Sequence, residues 1–177
     1  LAYARGGKYQ AASLSLQAFL HETLSILQHS FEQGLTLDTD FTEQELYVKI
    51  DKTQLQMTLA AVLANASEAM DGKGRIRLLL DKACVKHALD REQLDLEEGE
   101  YACLTIADAG RGMDAATRDK IFEPFFSTKF QGRGLGMAAA YGVIKNHEGT
   151  ISVASQLGSG TTVSIYLPLA EAVPEET

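Results

Sequence analysis

Long apolar runs are missing from this chain. No stretch approaches the ~18 consecutive apolar residues that a bilayer span requires, so no membrane contact is expected of it. Basic residues are scarce too: 16 Lys and Arg stand against 24 Asp and Glu, a formal charge of −8. That balance excludes the clustered Lys/Arg surface needed to hold DNA or RNA, so any anionic ligand has to be bound locally. The only cysteines are Cys84 and Cys103, with no CxxC spacing. Neither a zinc site nor a disulfide framework is expected, and two reduced, semi-buried thiols fit a cytoplasmic location. Internal repeats, low-complexity tracts and a G-x-x-x-x-G-K-[ST] phosphate loop are all absent. A nucleotide, if one binds, uses another device.

What remains is an ordinary globular composition, 45% apolar and 23% charged over 177 residues, enough for one domain. The chain starts at Leu1 inside a helical-looking "LAYARGGKYQ" without a signal-peptide layout, which reads as a piece of a longer protein. From Leu16 to Phe31, apolar residues recur at helical spacing, and Gly34 closes the helix. "ELYVKI" reads as a strand. Asp51 is placed to cap a second helix with Leu55, Leu59, Val62, Leu63, Ala66 and Met70 on one face, stopping at "DGKG". "RIRLLLDKAC" and "YACLTIAD" read as strands around a polar excursion, "HALDREQLDLEEGE". A loop-rich region covers residues 109 to 134, a helix runs from about Leu135 to Asn146, and "TISVAS" and "TTVSIYLP" form a hairpin over "QLGSG". The tail 171–177 reads as disordered. Helices and strands mix without strict alternation, so an α+β fold with helices layered on one mixed sheet is predicted.

"GLGMAA" at 134–139 formally fits the dinucleotide fingerprint, but it follows an irregular loop instead of a first strand, and too little chain remains for that fold. More telling is an ordered set: "NASEAM", "DAGRGM", "FEPFF", "GRGLGM" and "GSGTTVSIYLP". Singly, each has a bland reading as a surface amide, a strand-end turn, core aromatics or loop glycines. In this order, from about Leu16 to Leu169, they resemble the asparagine box, first glycine box, phenylalanine box, second glycine box and closing hairpin of the catalytic, ATP-binding domain of sensor histidine kinases. Gyrase-type, mismatch-repair and heat-shock chaperone ATPases belong to the same superfamily.

The resemblance implies a two-layer α/β sandwich of Bergerat type, with helices on one face of a mostly antiparallel sheet over residues 16–170. Residues 1–15 then correspond to the exit of a preceding dimerisation-hairpin helix and linker. It implies ATP and Mg²⁺ as ligands. An acceptor at Asp108 takes the exocyclic amine of adenine, and a water or the Thr161 hydroxyl completes the ring contact. Guanine would set a carbonyl against that carboxylate, leaving two acceptors unsatisfied at about 1–3 kcal/mol each. Gly110 and Gly112 are expected to bring bare backbone close to the purine, and Met113 to pack on its face. In the asparagine box, Asn65 is the metal ligand, with Glu68 and Ala69 beside the nucleotide. Glu68 either orients a metal-bound water or is a solvated helix carboxylate. Free N–H groups at Gly134, Leu135 and Gly136, with Arg133 and Lys129, are expected to attract the phosphates. Residues 114–133 form the lid; Phe122, Phe125 and Phe126 anchor it, and Lys129 reaches the terminal phosphate.

In this family the phosphoryl group passes to a histidine on a dimeric helical hairpin, and then to a response regulator. "HETLSIL" at His21 imitates the acceptor sequence but lacks its Asn/Thr-Pro step and sits too close to the asparagine box. His29, His87 and His147 have no claim. The chain reads as the donor half of a homodimeric parent, with Asn65 and Lys129 as the residues that act in transfer. Ala61 stands where many relatives carry a polar residue, and Arg133 where they often carry threonine. Other readings are a non-catalytic docking module of the same fold, or an ATPase or serine kinase of the superfamily.

Overall fold

The structure, a computed structural model, describes residues 11–31, 33–123 and 134–172, with the backbone alone at residues 134 and 135. Its strands are β1 (Ala11–Ser15), β2 (Leu35–Phe41), β3 (Tyr47–Asp51), β4 (Gly74–Val85), β5 (Gly99–Asp108), β6 (Thr150–Gln156) and β7 (Gly160–Pro168). Its helices are α1 (Leu16–Gln28), α2 (Lys52–Ala69), α3 (Ala88–Leu94), α4 (Ala115–Lys120) and α5 (Gly134–Asn146). Five strands form one sheet in the order β2-β4-β5-β7-β6, with β2 parallel to β4 and every other pairing antiparallel. The short β1 and β3 pair antiparallel as a separate ribbon.

Register shows why the sheet has one buried face. The cross-strand row Leu78, Ile106, Val163 and the row Leu80, Leu104, Ile165, Ile151 consist of buried apolar residues on one side. Residues of opposite parity, such as Arg77, Thr105 and Ser164, fall on the other face, as the period of two requires. α1, α2 and α5 supply Leu20, Leu59, Leu63, Met137 and Ile144 to the same core. Each fully buried Leu or Ile contributes about 1.5–3 kcal/mol, which outweighs the modest helix propensity of Thr, Ser and Asn in α2. Helices therefore layer on one sheet face, as the sequence predicts.

Caps fix the helix starts. Ser15 Oγ accepts the Ala18 N–H at 3.2 Å, and Asp51 Oδ1 accepts the Gln54 N–H at 3.1 Å. α2 ends where Asp71 (φ 55°) and Gly72 (φ 75°) turn left-handed in succession. His147 ties the far end of α5 to this start. Its Nε2 accepts the Asp51 N–H at 3.2 Å and its Nδ1–H donates to the Val143 carbonyl at 2.7 Å, which requires the neutral Nδ1-protonated tautomer.

Several sequence expectations need revision. The first helix ends at Gln28 instead of Phe31. Ala11–Ser15, in the expected linker, pairs with β3, and Leu35–Phe41 forms an edge strand that the sequence reading passed over. The polar excursion contains α3, and the loop-rich region contains α4, capped by Asp114 Oδ1 on the Thr117 N–H at 2.7 Å. Cys84 is exposed, while Cys103 is half-buried. None of the described helices is long and apolar enough to cross a membrane.

Candidate functional site

One register row ends in polar groups. Leu37, Ile76, Asp108, Thr161 and Ser155 lie opposite one another across β2, β4, β5, β7 and β6. Ile76 is fully buried under the helices, so the half-buried Asp108, Thr161 and Ser155 point to the helix side, at the end of the sheet where β5 stops. Asp108 Oδ1 accepts the Gly110 N–H at 2.8 Å and the Thr161 N–H at 3.3 Å. Among the described residues, Oδ2 has no hydrogen-bond donor. Burial pushes the carboxyl above its ordinary pKa; the two backbone donors and the nearby Arg111 charge oppose that shift.

The glycines beside Asp108 have a structural reason that the sequence reading did not supply. A Cβ at Gly110 would lie 2.6 Å from the Ala69 carbonyl oxygen, and the neighbouring Arg111 N–H donates to that same oxygen at 3.1 Å. Gly112 has φ +71°, and a Cβ there would overlap the Gln156 carbonyl oxygen. Both bare Cα positions thus pack against protein backbone, joining the loop to the end of α2 and to the β6–β7 hairpin. The Gly158 N–H adds a bond to Arg111 O at 2.7 Å, and the Met113 N–H donates to Ser155 Oγ at 2.8 Å.

α2 forms the other wall. Ala61, Asn65 and Ala69 are spaced i, i+4, i+8 and share one helical face. At one end, a Cβ on Gly136 in the first turn of α5 would sit 3.5 Å from Ala61 Cβ; at the other, Ala69 meets Gly110. Asn65 therefore lies between the start of α5 and the Asp108 loop. It is half-buried, and its side chain takes no hydrogen bond from a described residue. Glu68 is half-buried one turn beyond Asn65, beside the loop, and its backbone carbonyl accepts from Arg111 Nη1 at 3.5 Å. No cluster of three His, Cys, Asp or Glu side chains occurs among the described residues. Among the described residues, a cation here would find the neutral Asn65 amide oxygen beside water and ligand oxygens, a donor set that suits Mg²⁺.

Of the residues singled out from sequence, Ala69, Asp108, Gly110, Gly112, Met113 and Thr161 come together around the loop after β5, Asn65 and Glu68 precede Ala69 on α2, and Gly136 approaches Ala61 in the first turn of α5, which also holds Gly134 and Leu135. Lys129, Arg133, Phe125 and Phe126 lie outside the described residues. Phe122 packs on the core and stacks on Tyr141, with ring centroids 4.7 Å apart. Nothing in the motifs themselves points to Ser155 or Arg111. Hairpin arithmetic would have found Ser155, because a turn over 157–159 places it opposite Thr161.

Residues 50–171 match the family model described as histidine kinase-, DNA gyrase B-, and HSP90-like ATPase. The chain is 33% identical to the sensor kinase CckA of Brucella abortus over 95% of its own length and 18% of that protein. It is 32% identical to the signal transduction histidine-protein kinase AtoS of Escherichia coli, over 96% of its length and 26% of that protein. It thus spans about a fifth to a quarter of these relatives. The mycobacterial sensor histidine kinase MprB has the same fold, with a TM-score of 0.71 at 23% identity over 90% of this chain and 97% of that one.

Proposed function

The chain belongs to the histidine kinase-, DNA gyrase B-, and HSP90-like ATPase family and is an ATP-binding catalytic domain of the sensor-kinase type, and we propose that it donates the γ-phosphoryl group of ATP to a histidine on a separate dimerisation hairpin. The observation that carries this reading is the single face of α2 running from Gly136 past Asn65 to the Asp108 loop. It supports a base end and a phosphate end on opposite sides of one neutral amide.

At the base end, Asp108 Oδ2 accepts the exocyclic amine of adenine while Oδ1 stays tied to Gly110 and Thr161. The Thr161 hydroxyl, or a water held by it, meets the ring nitrogen, and Met113 covers the ring face. Gly110 and Gly112 contribute by holding the loop in place. At the phosphate end, the first N–H groups of α5, at Gly134, Leu135 and Gly136, have no intrahelical acceptor and offer donors at the positive end of the helix dipole. Lys129 and Arg133 add charge, which an acidic chain of −8 must concentrate locally. The Asn65 amide oxygen would hold Mg²⁺, with the Glu68 carboxylate one turn further along α2. When bound, Mg²⁺ supplies charge neutralisation on the phosphate oxygens.

Transfer to an imidazole asks these residues for alignment and charge compensation, with little covalent work. No general base is assigned within the chain. The partners that follow are the hairpin of a homodimeric parent and a response regulator, in a cytoplasmic setting. Phosphotransfer from radiolabelled ATP to a supplied hairpin tests the reading. Acid-labile phosphohistidine is the expected product, and acid-stable phosphoserine or an unlabelled hairpin contradicts it.

A further inference from the structure

Ser155 Oγ has one proton and two lone pairs to distribute. The Met113 N–H occupies one lone pair at 2.8 Å. The proton has two acceptors within reach: the Gly160 carbonyl at 3.1 Å and Thr161 Oγ1 at 2.8 Å. If Ser155 donates to Thr161, the threonine proton is released from Ser155 and is available to a ligand. If Ser155 donates to Gly160 instead, Thr161 donates back to Ser155 and presents only lone pairs to the site. Ser155 is satisfied in both arrangements, so the choice between them is left to whatever lies against Thr161.

Adenine decides that choice. Beside its amine stands N1, a ring acceptor, which needs a donor; a 6-oxopurine offers an N1–H in the same place and needs an acceptor. Thr161 sits directly opposite Asp108 in the register and donates its own N–H to Oδ1 at 3.3 Å, so its hydroxyl and the Asp108 carboxylate belong to one site. We infer that Ser155 is a positioning residue for base recognition: with a 6-aminopurine against Thr161, it donates to the threonine oxygen and leaves the threonine proton for N1. This rests on the nucleotide-binding reading above.

The test compares ATP with 1-deaza-ATP, in which a C–H replaces N1, by calorimetry with Mg²⁺ on the whole chain. The native chain is expected to prefer ATP by about tenfold, the worth of one hydrogen bond to the ring. In Ser155→Ala the threonine hydroxyl is free among three staggered positions, so that preference narrows by about threefold. Ser155→Thr, which restores the hydroxyl, returns it. A merely structural serine would weaken both nucleotides equally through the lost Met113 bond, and an unchanged ratio in Ser155→Ala overturns the inference. Equal affinity of the native chain for the two nucleotides also overturns it while leaving nucleotide binding intact. Failure of the native chain to bind ATP at all overturns the nucleotide reading itself.

Discussion

The Cα of Gly112 packs against the carbonyl oxygen of Gln156, at a φ of +71° that an L side chain rarely adopts. The loop after Asp108 is therefore locked to the β6–β7 hairpin. Gly158, at the tip of that hairpin, has φ +81° but open space where a Cβ would go. Gly158→Ala thus meets only the left-handed penalty of about 1 kcal/mol. Gly112→Ala adds a backbone collision and is expected to cost about 3 kcal/mol or more. Urea unfolding of the two variants checks this, and equal destabilisation contradicts it.

Asp108→Asn is informative because Oδ1 is pinned by two N–H donors, from Gly110 and Thr161. The amide oxygen must occupy that position, which places the –NH₂ where Oδ2 was. A donor then faces the adenine amine. ATP affinity is expected to fall about 100-fold, and inosine triphosphate, with a carbonyl at that position, to lose less or to gain. Titrating the variant with both nucleotides checks the reversal; an unchanged order of preference contradicts it.

How far the sequence reaches is clear from these two positions. Asp108 stands out in the sequence only because its motif falls in order with four others; alone, a strand-end carboxylate beside two glycines reads as a turn. The reason for the glycines is not legible there, since it depends on Ala69 and Gln156, residues distant in sequence that only the folded sheet brings beside them. Strand β2 alternates Leu35, Leu37 and Phe41 with Asp38 and Asp40, and these acidic residues on an edge strand masked its pattern. β1, "AASLS", has little apolar alternation and is fixed by pairing with β3. α3 is capped without a side-chain bond and buries none of its residues, which leaves no periodic signal to read. The large helices and central strands carried their own burial pattern, and so were readable.

The raised pKa of Asp108 gives a pH dependence with a definite sign. Its folded value lies above its unfolded one because burial disfavours the charge. Through this group, the stability of the free domain falls as pH rises from the unfolded to the folded pKa. Nucleotide binding acts in the opposite sense, since an amine donating to the carboxylate favours the ionised form. The Asp108 carboxyl carbon, followed by NMR, is expected to titrate above the ordinary value of about 3.9 in the free chain and lower when ATP is bound. A midpoint unmoved by ATP contradicts the contact.

Asn65→Ala separates binding from transfer. Base recognition at Asp108 is untouched by this change, so ATP affinity measured without Mg²⁺ is expected to stay within about threefold. The gain in affinity on adding Mg²⁺, and Mg²⁺-dependent phosphotransfer to a supplied hairpin, are expected to be lost. Full Mg²⁺-dependent activity in this variant contradicts the metal assignment.

A crystal structure of the chain with Mg²⁺ and a non-hydrolysable ATP analogue tests the central claim most directly. The account predicts the adenine amine within hydrogen-bond distance of Asp108 Oδ2, with the phosphates at the first turn of α5. A base bound anywhere else, or no bound nucleotide at saturating concentration, contradicts it.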